Sequence, residues 1–210
     1  MEEIIQRISI MAVPILLAVT IHEYAHGWVA DRLGDPTARL AGRLTFNPFK
    51  HLDLFGTIIF VLTRMIGWAK PVPVNPFNLK NPKKGMMLVS LAGFTANIIL
   101  AVVSGILFRS MYPFGIPYLP FEVNYPLNQM ILESVRINLG LALFNIIPIP
   151  PLDGSKVLAG LLPPNLYVQF SKIEPYGFLI LIFLIVTGAV NVVIAPLFYY
   201  ALKIILGPLM

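Results

Sequence analysis

The chain contains no cysteine in 210 residues. Disulfide staples, thiolate zinc sites and thiol nucleophiles are therefore excluded. Histidine is scarce as well, with three in the whole chain, so any metal site must combine these few imidazoles with carboxylates. Charge is the third shortage. Asp, Glu, Lys and Arg make up 12% of the residues, about half of the ~25% typical of a soluble domain. With 57% hydrophobic residues and several long uncharged runs, an ordinary soluble domain is excluded and an integral membrane protein is indicated. The formal charge of +5 is modest. Its basic residues flank apolar runs, which is the positive-inside pattern and not a nucleic-acid-binding surface. The start, Met1-Glu2-Glu3-Ile4-Ile5-Gln6-Arg7, lacks a basic leader region and a small-residue cleavage site. It reads as a retained first helix.

What is present is a series of apolar helices broken by proline and glycine. The first is expected over residues 4–33, with a possible kink at Pro14 and a stop at Gly34-Asp35-Pro36. Thirty residues of helix rise about 45 Å, more than the ~30 Å hydrocarbon core. Residues 38–47 alternate, with Leu40, Gly42, Leu44 and Phe46 on one side and Arg39, Ala41, Arg43, Thr45 and Asn47 on the other. That predicts a half-buried strand. Residues 54–63 are apolar but too short to span, and fit a re-entrant or interfacial segment. Trp68 to Asn75 predicts a second extended piece, in which Pro71 and Pro73 remove donors from one side and make it a sheet edge. Residues 86–108 are an uncharged span containing Gly93, Asn97 and Gly105. The loop 109–128, with Tyr112, Pro113, Tyr118 and Tyr125, has an interfacial composition. A further apolar stretch, 128–147, breaks at Pro148-Ile149-Pro150-Pro151-Leu152-Asp153-Gly154, and a short helix is expected over 155–162. Residues 177–202 fit either one kinked span or a tight hairpin of two. The predicted fold class is an all-α polytopic membrane protein: a helical bundle with a small membrane-associated β element near 38–47 and 68–75. Residues 1–162 form the core and 163–210 a C-terminal membrane helix or hairpin.

Charge points to a topology, against an alternative in which 54–63 is a full span and carries the Asp153 end to the opposite face. Arg32, Arg39, Arg43 and Lys50 in one segment, and Arg64, Lys70, Lys80, Lys83 and Lys84 in another, both belong on the cytoplasmic side. They share a side only if 54–63 enters and returns. The spans then alternate so that Asp153 arrives at the same cytoplasmic end as His26.

The chemistry centres on His22-Glu23-Tyr24-Ala25-His26. HExxH places two imidazoles at i and i+4 on one helix face, as two ligands of a zinc ion, with the glutamate within reach as a general base toward water. Inside a membrane span, His and Glu are too costly to be incidental. A third ligand must come from His51, Glu122, Glu133, Asp153 or Glu174. His51 sits in a basic segment and reads as a surface residue. Glu133 lies one turn from Arg136 and reads as its ion-pair partner. Glu122 and Glu174 lie at Pro-flanked span ends and read as interfacial. Asp153 follows a proline-broken helix between apolar stretches. It is the favoured ligand, against a structural role as an N-cap. Asn145 and Asn97 are neutral amides near this site. They suit binding of a scissile peptide, against simple inter-helix hydrogen bonding.

Taken together, His22-Glu23-Tyr24-Ala25-His26 and the run from Asn145 through Pro148 and Pro150 to Asp153-Gly154 resemble the site-2 protease family of intramembrane zinc metalloproteases. The second run matches that family's N-x-x-P-x-P-x-x-D-G pattern. Residues 85–97 are similar to its G-P-x-x-N element, with Phe94 in place of the proline, and Ser155 stands where a second glycine is common. The resemblance covers about residues 8–162 and is to a compact form without inserted PDZ or appended CBS domains. It implies an endopeptidase that cuts transmembrane segments of membrane proteins, with one Zn²⁺ per chain held by His22, His26 and Asp153. Glu23 would be the base toward water and the proton donor to the leaving amine. Asn145 and Asn97 would contact substrate, and the active site would lie toward the cytoplasmic side. Partners would be a transmembrane substrate and the bilayer, not nucleic acid. An extended edge at 72–75 or 38–47 would receive the unwound substrate by strand addition. The competing reading is a membrane metal transporter or channel using the same His/Asp site, which would not need Glu23 as a base.

Overall fold

The computed structural model describes residues 2–63, 69–112, 115–117 and 119–207; Arg64, Trp68, Pro113 and Tyr118, named above, lie outside them. Helix α1 (Glu2–Arg32) runs through Pro14 without ending. It stops where the sequence stops it. Gly34 adopts φ +108°, the Asp35 N–H reaches back to the Ala30 carbonyl at 2.9 Å and the Gly34 N–H to the Asp31 carbonyl at 3.2 Å. This is a Schellman closure that only glycine enters without strain. Helix α2 (Thr37–Leu40) is a single turn, and α3 (Leu54–Thr63) is the short apolar segment expected not to span. Helix α4 (Pro82–Met111) starts on Asn81, whose side chain accepts the Lys84 N–H at 3.0 Å, with Pro82 in the first turn. Helix α5 (Phe121–Asn145) returns antiparallel to it. Then come α6 (Asp153–Leu161), α7 (Pro164–Ser171), α8 (Gly177–Val186) and α9 (Ala189–Leu206).

The centre of the bundle is α1, α4 and α5, each packed on the other two, with α6 lying against α4 and α9 against α4 and α5. Ala101, Phe108, Val135, Leu139, Leu202 and Leu206 form the buried cluster that joins α4, α5 and α9. Among the described residues, four helical segments are long and apolar enough to cross a membrane: Ile8–Arg32, Pro82–Met111, Pro164–Val186 and Ala189–Leu206. The last two lie in the C-terminal stretch and are separated at Gly188 with φ +76°. The expected span 128–147 is the second half of α5. It is not among the four, because Glu133, Arg136, Asn138 and Asn145 lower its hydrophobicity. It is instead the inner wall of the bundle, burying Ser134, Val135, Asn138, Leu139 and Ala142.

The β element does not form: the described residues contain no strand. Residues 38–47 hold the end of α2 followed by turns. Gly42 takes φ +64°, outside β space. The alternation is also inverted, since Leu40 is 77% exposed while Arg43 is buried and donates its Nη2–H to the Lys70 carbonyl at 2.7 Å. The segment 69–75 is extended, with one isolated antiparallel bridge between Leu52 and Ala69. Three of its donors are already spent: the Lys70 N–H on the His51 carbonyl, Val72 N–H on Glu23 and Asn75 N–H on Asp35. With Pro71 and Pro73 lacking N–H groups as well, few donors remain for a ladder between the two segments.

Candidate metal centre

Two turns of α1 present His22 and His26 on the face turned toward α4 and α6. Both are buried, as is Asp153 at the first position of α6. The three side chains converge. The distances are 3.0 Å between the two Nε2 atoms and 3.1 Å from each to Asp153 Oδ2. Asp153 is not the N-cap of its helix; that position is Leu152, which makes no side-chain cap. Of the other acidic candidates, Glu133 pairs with Arg136 at 2.7 Å, as its spacing predicted. His51 departs from the expectation of a surface residue. It is fully buried and bonds the Thr45 carbonyl at 2.8 Å through Nε2, locking the turn before α3.

The protonation pattern follows from the partners behind the rings. His26 Nδ1 faces the Val89 carbonyl at 2.7 Å. A carbonyl only accepts, so Nδ1 carries the proton and Nε2 of the neutral ring carries a lone pair. Asn97 Nδ2 donates to the carbonyl of Ala18 at 3.3 Å and to Asn138 Oδ1 at 2.7 Å. That fixes the amide orientation, so Asn97 Oδ1 accepts from His22 Nδ1 at 2.5 Å. Both histidines thus aim an Nε2 lone pair at the same point as a carboxylate oxygen. Three such atoms repel one another unless a proton or a cation lies between them. Three ligands held ~2.0–2.1 Å from one tetrahedral zinc would sit about 3.3 Å apart, close to the spacing found.

Gly93 of α4 completes the cradle. A β-carbon there would fall 2.5 Å from Cε1 of His26 and 2.7 Å from Cε1 of His22. Glycine is what lets α4 approach the rings closely. Gly154 serves the turn: a β-carbon would lie 2.1 Å from the Ile146 carbonyl oxygen. The chain can therefore fold back after α5 and deliver Asp153. Lys156, one turn on, stands 3.6 Å from the other Asp153 oxygen. The donor set, its tautomers and its close packing fit zinc.

Glu23 is half-buried, and its Oε2 accepts the Val72 N–H at 2.7 Å. Asn97 is fully buried, its carbonyl on His22 and its amide on Ala18 and Asn138. Asn145 is half-buried near the end of α5 and donates to the Leu141 carbonyl at 3.0 Å. Sequence reasoning missed Asn138, which supports Asn97 and donates in turn to the Ser134 carbonyl at 2.8 Å. Its only visible signal was another amide in a mostly apolar stretch.

The same chain is 40% identical over 187 residues to a Bacillus subtilis protein named "Putative zinc metalloprotease YwhC", covering 89% of this chain and 84% of that one. The chain belongs to the YwhC family. It is also 28% identical over 180 residues to "Putative zinc metalloprotease Rip2" of Mycolicibacterium smegmatis, and 26% over 188 residues to the Rip2 of Mycobacterium tuberculosis H37Rv. Each of these alignments covers 84% of this chain and 66% of the relative. No protein-family model matches the chain, and no solved structure matches it. The family name and the His/His/Asp centre arise from independent observations and agree on the metal.

Proposed function

We propose that this protein is an intramembrane zinc endopeptidase of the site-2 type, hydrolysing peptide bonds within transmembrane segments of other membrane proteins. The observation that carries this reading is the convergence of two oriented Nε2 lone pairs and one carboxylate oxygen beside Gly93. The two helices that flank the site, α1 and α4, are both long and apolar enough to span, which supports chemistry at depth. His22 lies ten residues before the end of α1, about 15 Å along its axis.

His22, His26 and Asp153 would hold one zinc ion per chain. When bound, the ion supplies Lewis acidity, lowering the pKa of water and polarising a carbonyl. Glu23 is the general base: it takes the proton of the attacking water and returns it to the leaving amine nitrogen. The Val72 N–H steadies its carboxylate through one oxygen. Asn97 acts as a positioning residue, holding the His22 ring and its tautomer from behind. Asn145 is assigned to the substrate backbone, which must unwind locally because a helix hides its amides. The C-terminal hairpin from residue 163 onward is read as a unit appended to the catalytic core. The basic segments that flank α2 and precede α4 support a site turned toward the cytoplasmic side.

The test is incubation of purified wild type and Glu23→Gln with a panel of single-span substrates, with zinc measured in parallel. The expected result is loss of cleavage with zinc retained. Undiminished cleavage by Glu23→Gln would overturn the assignment. Zinc flux into proteoliposomes, equal in both proteins and without cleavage, would identify a transporter.

A further inference from the structure

We propose that a depression formed where α1 ends and α4 begins binds the phosphate headgroup of an anionic phospholipid. The depression encloses about 190 Å³. Its charged lining is Arg32, Lys80 and Lys84, and its floor includes Leu33, Leu79 and Leu88.

Its charge is uncompensated. Among the described residues, no carboxylate pairs with any of the three cations. The two nearest acids in sequence are engaged elsewhere: Asp31 binds Arg39 at 2.9 Å, and Asp35 accepts from Thr37, Asn75 and Asn78. Lys83 makes the contrast. It bonds the Leu162 carbonyl and stands 5.8 Å over the Tyr167 ring, on a different side of α4. Three exposed cations around one concave surface, with no carboxylate partner among the described residues, call for an anion from outside.

The shape selects a lipid. On α4, Leu88 lies one turn deeper than Lys84 and is 44% exposed. On α1, Trp28 lies one turn deeper than Arg32, is likewise 44% exposed, and stacks under that guanidinium at 5.0 Å. Each helix therefore offers a cation at its end and open apolar surface just inside. Both are segments able to cross a membrane. A phospholipid has the same profile, with charge at the surface and acyl chain below it.

Trp28 reports on the site directly. The chain has two tryptophans, so Trp68→Phe leaves Trp28 as the fluorophore. The full-length protein is reconstituted in phosphatidylcholine vesicles, with either brominated phosphatidylglycerol or brominated phosphatidylcholine at equal mole fraction. Brominated phosphatidylglycerol is expected to quench Trp28 more strongly. Equal quenching overturns the proposal, and this comparison needs no charge variant to fold. Lys80→Gln with Lys84→Gln is expected to abolish the preference, since two surface charges contribute roughly thirty-fold. Lys50→Gln with Lys172→Gln is expected to leave it intact; loss there as well would reveal only bulk charge and overturn the site. Displacement of the brominated anionic lipid by millimolar inorganic phosphate would show a soluble-anion site and overturn the lipid assignment.

Discussion

A β-carbon at position 93 would touch both imidazoles of α1, at 2.5 Å from His26 and 2.7 Å from His22. Such separations do not occur, so Gly93→Ala must displace the rings, the helix or both. The expected outcome is a protein that still folds, with a modest fall in melting temperature, and binds less than one zinc per chain by elemental analysis. Full occupancy would mean the rings have room that the packing denies. Asn97→Ala acts on the same atoms from the other side. It removes the acceptor that fixes His22, and a loss of about 10–100-fold in zinc affinity is expected from removing such a support, read by chelator competition. The three converging residues were legible because HExxH and the Asp-Gly break name themselves. Gly93 and Asn138 were visible only as a small and a polar residue in apolar stretches. Their meaning depends on the rotation of α4 and α5 about their axes, which the order of residues along each helix does not by itself encode.

The elements that were long and apolar could be read within a few residues, since 4–33 became α1 at Glu2–Arg32 and 86–108 became α4 at Pro82–Met111. The strand over 38–47 could not. Alternation predicts a strand only where a partner edge has donors to give, and Pro71, Pro73 and the committed N–H groups of 70, 72 and 75 leave few. What joins the two segments is a carboxylate. Asp35 is fully buried and accepts from the Thr37 N–H at 3.2 Å and the Thr37 hydroxyl, the Asn75 N–H at 2.6 Å and Asn78 Nδ2 at 2.8 Å. Burial pushes its carboxyl up, and these hydrogen bonds outweigh it, so the group is held below the usual carboxylate range. A depressed native value means the stabilisation is complete above the unfolded carboxylate value of ~3.9 and is lost as pH falls through the native one. Asp35→Asn should therefore lower stability at neutral pH by about 1–3 kcal/mol. The gap between variant and wild type should close as the pH is taken below 4. A gap independent of pH, in melting curves recorded across that range, would mean that shape and not charge matters at this position.

For the molecule as a whole, charge and parity placed the Asp153 end of the chain beside His26, and the convergence of the two agrees with that. The docking of the last helix carried no such signal. Residues 189–206 are apolar on nearly every side, and nothing in their order says which face meets α4 and α5. The answer lies in one close approach. A β-carbon at Gly105 would lie 2.2 Å from Ile205 Cγ2, whereas the next atoms, the Ile205 carbonyl oxygen and Cβ, are at 3.5 and 3.7 Å, ordinary contact distances. Between membrane helices, packing of this kind replaces the hydrophobic effect as the source of association. Gly105→Ala should therefore cost about 1–3 kcal/mol through overpacking, seen as a lower melting temperature in detergent. The conflict is with one methyl group, so Ile205→Ala removes it. In that background the same glycine substitution should cost about nothing, and the added methyl can occupy part of the space left behind. If Gly105→Ala destabilises equally in both backgrounds, α9 is not seated on α4 at this contact.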